Sequence, residues 1–167
     1  MAINELLLTE FDEEVKKTRA TLERVPANRP DFAPHPRSMP LGRLAPLVAQ
    51  LPSFGLSVLT TPEFDFAQGG YKPVPLVSAV QLVSVLDEGA AKTRNALAAL
   101  RDEAWNDNWK LVMQDTILFA GSRFLAYREM FLNHLVHHRA QLGIYLRLNE
   151  EKVPAIYGPS ADDALGF

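Results

Sequence analysis

The stretch that decides the fold reads NHLVHHRAQLGIYLRL, residues 133–148, and its apolar residues recur at the spacing of an α-helix. Extending this pattern backwards predicts a last helix from Ser122, a hydroxyl residue suited to capping, to roughly Asn149. At about 100° per residue, one side of this helix gathers apolar residues that should pack into a core. They are Phe124, Tyr127, Phe131, Leu135, Leu142, Tyr145 and Leu146.

Three of the four histidines lie in this helix, and two of them fall inside its apolar side. His134 and His138 are four residues apart, so their imidazoles should lie one above the other, within reach of a common metal ion. His137 lies about 100° away from His138 and should face elsewhere. The same spacing also suits two polar core residues that hydrogen-bond to a tyrosine or an acid. The histidine pair therefore leaves a metal site and a metal-free core as alternatives.

Four helices are predicted in all. Apolar residues at helical spacing predict a first helix over 3–25, a second over 38–51 and a third over 76–103. We expect Pro46 to kink or break the second helix, because proline removes a backbone hydrogen bond. Residues 52–75 are rich in proline and glycine and show no sustained period, which predicts a long ordered connection.

A small β-structure is predicted between the third and last helices. The stretch NWKLVMQDTILFAG, residues 108–121, has β-favouring residues on both sides of Gln114 and Asp115, which indicates a β-hairpin. Together these elements predict an all-α fold, a four-helix bundle with long crossover connections and a small hairpin. The 167 residues suffice for one core, so we expect a single domain over 1–167.

Two further groups of residues have both a structural and a functional interpretation. The aromatic residues of the long connection form either a pocket rim or an anchor for the loop, and anchoring is favoured: Phe54, Phe64, Phe66 and Tyr71. Three consecutive acids of the first helix are interpreted as a solvated helix face: Asp12, Glu13 and Glu14.

Composition narrows the classes of function. The formal net charge is -3, which argues against nucleic acid and anionic membranes as partners, because both favour clustered Lys and Arg. The chain has no cysteine, which excludes thiolate metal ligands, iron–sulfur clusters and a cysteine nucleophile. The first residues soon turn acidic, unlike a secretory signal, and no apolar run reaches the length of a membrane span. We therefore expect a cytoplasmic protein.

Several stretches match a known family in combination. The stretch NHLVHHRAQLGIYLRL resembles the last core helix of the DinB/YfiT-like family of proposed metalloenzymes. LLLTEFDEEVKKTRATLERVP, residues 6–26, is similar to the first helix of that family, and HPRSMPLGRLAPLVAQLP, residues 35–52, to its second. VPAIYGPSADD, residues 153–163, resembles its C-terminal segment, so the likeness covers nearly the whole chain.

The resemblance implies an up-up-down-down four-helix bundle, a homodimer, and a divalent metal such as Ni²⁺ or Zn²⁺ held by three histidines. Two of these match His134 and His138 on the last helix. The third belongs to the second helix, where this chain has Leu47, preceded by Pro46. Leucine cannot coordinate a metal, and catalytic zinc normally uses three protein ligands plus water. The resemblance thus implies a degenerate site with weak metal binding or none, unless His35 replaces the missing ligand.

Two functions follow as alternatives. The favoured one is a metal-free or weakly metal-binding bundle that acts as a binding or dimerisation module. Its expected partners are a second copy of the chain and an unknown small molecule. The other is a divalent-metal-dependent transferase or hydrolase, related to thiol-dependent transferases, with His134 and His138 as ligands. In either case we expect Leu47, Tyr127, Phe131 and Tyr145 to line the pocket. No catalytic residue is predicted. Outward apolar positions, Leu132 and Val136, favour a homodimer.

Overall fold

The computed structural model describes residues 2–68 and 72–164, and in this part of the chain four long helical elements surround one core. The helices are α1 (Ile3–Leu22), α2 (Leu41–Thr60), α3 (Ala79–Ala99), the short α4 (Arg123–Ala126) and α5 (Asn133–Leu148). The strands are β1 (Glu63–Asp65), β2 (Asn108–Met113) and β3 (Thr116–Ser122). Short 3-10 helices span Phe66–Gln68 and Asp102–Asn106, and a π-helical segment spans Tyr127–Leu132.

The first helix forms as its apolar spacing predicts. Leu7, Phe11, Thr18 and Leu22 are buried at intervals of one, two and one helical turns, which is the spacing of a helix that turns one face to the core. Glu14 is also buried, at 5% exposure, so the interpretation of the whole acidic cluster as a solvated face is wrong for this residue. Asp12 and Glu13, its neighbours, are exposed as predicted.

The second helix is longer than the sequence pattern predicts. It runs unbroken through Pro46 and Pro52 to Thr60, so of the expected kink or break at Pro46 the break does not occur. The predicted connection over 52–75 begins nine residues too early. Tertiary packing explains the continuation, because both prolines are buried in the core. In addition, the Thr93 hydroxyl donates a hydrogen bond to the carbonyl of Pro52 at 2.5 Å.

The third helix begins after Ser78, whose side chain accepts a hydrogen bond from the backbone N–H of Gln81 at 3.1 Å. Its buried side consists of Leu82, Leu86, Gly89, Ala90, Thr93 and Leu97. Val83 is partly buried and packs against the core, whereas Val80, in the first turn of the helix, is 80% exposed.

The helices form a ring in the order α1, α3, α2 and α5, since each packs against the next and α5 returns to α1. Two glycines allow close approach around α2. A Cβ on Gly89 of α3 would lie 2.5 Å from the Ser53 hydroxyl, and one on Gly55 would lie 2.8 Å from the Phe131 ring. These contacts bring α2 against both α3 and the π-helical segment.

A three-stranded sheet lies beside the bundle, in the order β1-β2-β3. The predicted hairpin is confirmed as the antiparallel pair of β2 and β3, with Gln114 in its turn at a φ of 55°. The parallel strand β1, which pairs Phe64 with Leu111, is an addition that the all-α prediction did not contain. The fold is therefore mostly helical with a small sheet.

The last predicted helix is confirmed in extent, since helical structure runs from Arg123 to Leu148 with Ser122 and Asn149 at its ends. The Ser122 hydroxyl accepts a hydrogen bond from the N–H of Leu125 at 3.2 Å. The π-helical segment lies between Phe124 and α5 and shifts the register of the helix. This shift explains why Phe124 is 40% exposed although ideal periodicity places it on the buried side.

None of the helices in the described ranges combines the length and the apolar character that crossing a membrane requires.

Candidate functional site

The two histidines of the HxxxH pair lie together in the first turns of α5, directly after the π-helical segment. The ring centroids of His134 and His138 are 4.5 Å apart, with the ring planes tilted by 51°. Both rings are half-buried, whereas His137 is exposed and contacts only the second ring, at 4.9 Å. The pair therefore lies at the flank of the core, with Leu135 and Arg139 in the buried positions.

Each ring of the pair has one nitrogen in a hydrogen bond. The Nδ1 of His134 lies 3.3 Å from the carbonyl oxygen of Met130, and the Nδ1 of His138 lies 2.7 Å from Oε1 of Gln141. Because both oxygens only accept, each Nδ1 carries the proton in the neutral ring. The Nε2 lone pairs of both rings are thus left to accept a further hydrogen bond.

Both imidazoles favour the neutral form. Burial lowers the pKa of His134 below the ordinary value of 6.5, and the nearby His138 lowers it further. Burial also lowers the pKa of His138, against the raising effect of its hydrogen bond to Gln141. At neutral pH the pair is therefore a set of uncharged hydrogen-bonding groups.

An apolar cavity of about 200 Å³ opens next to the first ring, between α2, the sheet and the π-helical segment. His134 belongs to its wall, and Leu47 of α2 belongs to the same wall. The other lining residues are Gln50, Leu51, Ser53, Phe54, Ser57, Phe64, Phe66, Leu111 and Met130. This lining holds no Lys, Arg, Asp or Glu among the described residues, so the cavity suits uncharged, largely apolar groups.

Three aromatic residues form one side of this cavity. The rings of Phe54 and Phe64 meet edge to face at 5.2 Å, and those of Phe64 and Phe66 at 5.3 Å. Phe54 also contacts Trp109 at 6.2 Å, which ties the group to β2. These three residues thus have both of the functions that the sequence leaves open, since they anchor the sheet to α2 and line the cavity. Tyr71, the fourth residue of the predicted set, lies outside the described residues.

The donor set around the pair does not fit a three-ligand metal centre. Leu47 presents a hydrocarbon at the position where the resemblance implies a histidine. Among residues 2–68 and 72–164, no group of three or more His, Cys, Asp or Glu side chains is arranged to hold a metal. His35 lies exposed in the segment before α2, where its Nδ1 accepts a hydrogen bond from the N–H of Arg37 at 3.1 Å.

The other residues expected at the pocket lie in the core and outside the cavity wall. Tyr127 and Phe131 are fully buried and contact each other edge to face at 5.3 Å. Burial raises the pKa of the Tyr127 phenol far above its ordinary value. Tyr145 donates a hydrogen bond from its hydroxyl to the carbonyl of Met39 at 2.7 Å, which fixes the segment before α2. Leu132 is also buried, so it is not an outward position for a dimer contact.

A buried ion pair next to the histidines has no counterpart in the sequence-based expectations. Arg139 is 3% exposed and lies 2.6 Å from the Glu14 carboxylate of α1. The Tyr157 hydroxyl donates to the same carboxylate at 2.7 Å and accepts from Arg139 at 2.8 Å. Lys17 lies 3.0 Å from the other carboxylate oxygen and 4.6 Å above the Tyr157 ring. The only hint in the sequence is that Arg139 lies four residues after Leu135.

The hydrogen bonds of this network decide the charge of Glu14. Burial alone would raise the pKa of its carboxyl group, but the hydrogen bonds from Tyr157 and Lys17 and the charge of Arg139 outweigh burial. The pKa of Glu14 is therefore lowered from its ordinary value of 4.5. The ionised pair ties α1, α5 and the C-terminal segment together.

Comparison with known proteins identifies the fold. No family model matches the sequence, and no curated protein matches it either. A DinB-like protein from Bacillus cereus has a similar structure, with a TM-score of 0.65 and 18% identity over 90% of this chain and 95% of that chain. A DinB-like protein from Bacillus subtilis matches with a TM-score of 0.66 and 16% identity, over 89% of this chain and 95% of that one. The chain therefore has the fold of the DinB-like proteins.

Proposed function

We propose that this chain is a DinB-like protein that binds a small, largely apolar molecule in the cavity beside His134, without a resident catalytic metal. The observation that carries the proposal is that Leu47 and His134 lie in one cavity wall. A metal centre at this place would need a third donor, whereas the chain supplies a hydrocarbon there. Leucine in place of a histidine at position 47 also makes the cavity wall more favourable for contact with the apolar surface of a ligand.

The size and chemistry of the wall specify the ligand class. A cavity of about 200 Å³ accommodates a single aromatic ring, since engineered apolar cavities of roughly 150 Å³ bind benzene. The edge-to-face set of Phe54, Phe64 and Phe66 favours an aromatic group. His134 Nε2 accepts a hydrogen bond, so the ligand carries one hydroxyl or N–H donor. A neutral phenol is the simplest molecule with these properties.

The proposal is tested by titrating phenol and short alkylphenols into the protein while backbone amide shifts are recorded by NMR. We expect shifts in α2, β1 and the π-helical segment, with benzoate binding at least about tenfold more weakly because no cation lines the wall. His134→Ala should weaken phenol binding by about fivefold to tenfold, the worth of one hydrogen bond. His137→Ala, which removes an exposed neighbour, is the matched control and should change nothing. Absence of saturable binding by any of these compounds would contradict the proposal.

The alternative function is the metal-dependent transferase or hydrolase. It is favoured by one observation, namely that two adjacent rings leave both Nε2 lone pairs available. Elemental analysis of protein purified without a nickel column, before and after dialysis against Zn²⁺, separates the two functions. Stoichiometric metal that is lost in His134→Ala and retained in His137→Ala would demonstrate the metal site that the alternative requires and would contradict a metal-free cavity.

Four further properties belong to the same proposal. The up-up-down-down order of helices and membership of the DinB-like family follow from the sequence resemblance, and the two structural relatives support the shared fold. The absence of a nucleic-acid partner is supported by the net charge of -3. A cytoplasmic location is expected from the sequence, and fractionation of cells that express the protein tests it directly.

A further inference from the structure

Four polar side chains belong to the wall of the cavity beside the histidine pair. They are Gln50, Ser53, Ser57 and His134. A polar group in an apolar wall is costly to desolvate unless it has a hydrogen bond, which comes either from the protein or from a ligand. The surroundings of each side chain therefore show which of the four are available to a ligand.

Two of the four side chains are engaged with other parts of the chain. Gln50 donates a hydrogen bond from Nε2 to the carbonyl of Lys72 at 2.8 Å, and its Oε1 accepts one from the N–H of Val74 at 3.1 Å. The Ser53 hydroxyl is directed at α3, since a Cβ on Gly89 would lie 2.5 Å from its Oγ. Gln50 thus fixes the connection before α3, and Ser53 fills the space beside a glycine.

The Ser57 hydroxyl is available, because it has no hydrogen-bond partner among residues 2–68 and 72–164. Hydroxyl groups in helices often donate to the carbonyl four residues earlier. Those of Thr60 and Thr61 do so at 2.8 Å each, to the carbonyls of Leu56 and Ser57. Ser57 is half-buried in the cavity wall and makes no such bond. Its hydroxyl and the Nε2 of His134 are therefore the two groups of the wall that a ligand can bind.

The last helix runs antiparallel to α2. Arg123 at its start donates to the carbonyl of Thr61 at 2.9 Å, at the end of α2. Tyr145 near its end donates to the carbonyl of Met39 at 2.7 Å, before the start of α2. Later positions of the last helix therefore lie level with earlier positions of α2.

His134 and Ser57 consequently lie at different heights along α2. The Phe131 ring packs against Gly55. His134 follows Phe131 by about one helical turn, so it lies about one turn before Gly55, near position 51 of α2. Ser57 lies six residues after that position, which corresponds to a rise of about 9 Å along the helix axis.

We infer that the cavity selects aromatic molecules with polar groups at two opposite ends of the ring, one bound by His134 and the other by the Ser57 hydroxyl. This inference rests on the proposed function, because it assigns the second end of the same ligand. Phe54 lies between the two groups along α2, and it meets Phe64 edge to face at 5.2 Å, so aromatic surface lines the space between them. A substituent para to the phenol hydroxyl then extends towards Ser57, whose hydroxyl both donates and accepts. The simplest such ligand is para-hydroxymethylphenol.

The inference is tested by comparing para-hydroxymethylphenol with para-ethylphenol, a molecule of the same shape without the second hydroxyl. The Kd of each compound is measured by NMR titration for the wild-type protein and for Ser57→Ala. The substitution should weaken para-hydroxymethylphenol at least about fivefold, which is the loss of one hydrogen bond, and should leave para-ethylphenol nearly unchanged. Alanine favours a helix more than serine does, so the variant should remain folded.

Ser53→Ala is the matched control, because Ser53 lines the same cavity from the same helix but directs its hydroxyl at α3. It should leave both Kd values unchanged. An equal effect of Ser57→Ala on both compounds, or an equal loss in Ser53→Ala, would overturn the inference and leave the proposed function intact. Absence of binding by both compounds to the wild-type protein would overturn the proposed function and this inference with it.

Discussion

His138 and Arg139 are adjacent in α5, yet the protein treats their charges in opposite ways. The histidine is half-buried, has one hydrogen-bond partner and a lowered pKa, so it remains neutral. The arginine is almost fully buried and stays charged beside an ionised glutamate, with two further hydroxyl groups in contact. A buried charge is tolerated where partners compensate its lost hydration, and a group with few partners gives up its charge instead.

The two groups also contribute to different properties: Arg139 stabilises the fold, and the histidines belong to the candidate binding site. The Arg139 network joins three parts of the chain, namely α1, α5 and the C-terminal segment. The hydrogen bonds of the histidine pair to Met130 and Gln141 stay within the last helix and leave both Nε2 atoms free. His134 also lies beside the cavity. The conspicuous residues of the motif therefore belong to the candidate binding site, and an inconspicuous neighbour stabilises the fold.

The largest effect is expected from breaking the buried ion pair. Glu14→Ala leaves Arg139 as an uncompensated buried cation, which should lower the free energy of unfolding by about 3 kcal/mol. Urea unfolding followed by circular dichroism measures the loss. Glu13→Ala, at the adjacent and exposed position of the same helix, should leave the urea midpoint nearly unchanged. The double variant Glu14→Leu/Arg139→Met should recover much of the stability, because no charge is left buried. An equal loss of unfolding free energy in Glu14→Ala and in the variant at the exposed position would contradict the role assigned to the buried ion pair.

The next largest effect is expected from converting the neutral site into a metal site. Leu47→His adds a third imidazole to the wall that already contains His134, which should raise the affinity for Zn²⁺ at least about tenfold. Competition against a fluorescent zinc chelator measures the change. Val77→His, at an exposed position before α3, controls for nonspecific binding by an added histidine. Equal affinity in both variants would show that residue 47 does not face the pair.

The smallest expected effect is a decrease in the free energy of unfolding, in two steps, as the pH falls. The pKa of each histidine is lower in the folded protein than the ordinary value of 6.5, so the unfolded chain takes up protons first as the pH falls. Their contribution to stability is complete above pH 6.5 and is lost as the pH falls through the folded pKa values. The pKa of Glu14 is also lowered, from an ordinary value of 4.5, so its contribution to stability is lost in the same way below pH 4.5.

Unfolding free energies measured from pH 8 to pH 3 separate these steps. His134→Gln/His138→Gln should flatten the step below pH 6.5 and leave the step below pH 4.5 in place. His137→Gln should retain both steps. A wild-type curve that is flat between pH 6.5 and 5 would contradict the origin assigned to the first step.

Much of the fold follows from local patterns. Ser122 and Asn149 mark the ends of the last helix, and the β-favouring residues around Gln114 and Asp115 predict the hairpin. The extension of α2 from Pro52 to Thr60 escapes prediction because the penalty for proline is local, whereas the packing that outweighs it comes from α3 and the π-helical segment. Strand β1 escapes because its three residues have meaning only through a partner far along the chain.

The candidate site is predicted only in part, and for the same reason. The position of His134 and His138 follows from helical spacing, and the importance of Leu47 follows from the resemblance. The sequence does not predict that the cavity wall contains Ser53, Ser57 and Met130. The first two lie within residues 52–75, which the sequence pattern predicts to be a connection and which are helical up to Thr60. Glu14 reads as one acid among three, and no rule based on a single helix indicates that Arg139 approaches it from another helix.

The π-helical segment over Tyr127–Leu132 sets the phase between the two halves of the last helix. Because a π-helix turns by less per residue than an α-helix, its six residues span nearly the same rotation as about five α-helical residues. Deletion of one residue here would therefore convert the segment to α-helix and leave His134 at the cavity wall. In this architecture the last helix could lose one residue next to the pocket without moving the imidazole that lines it.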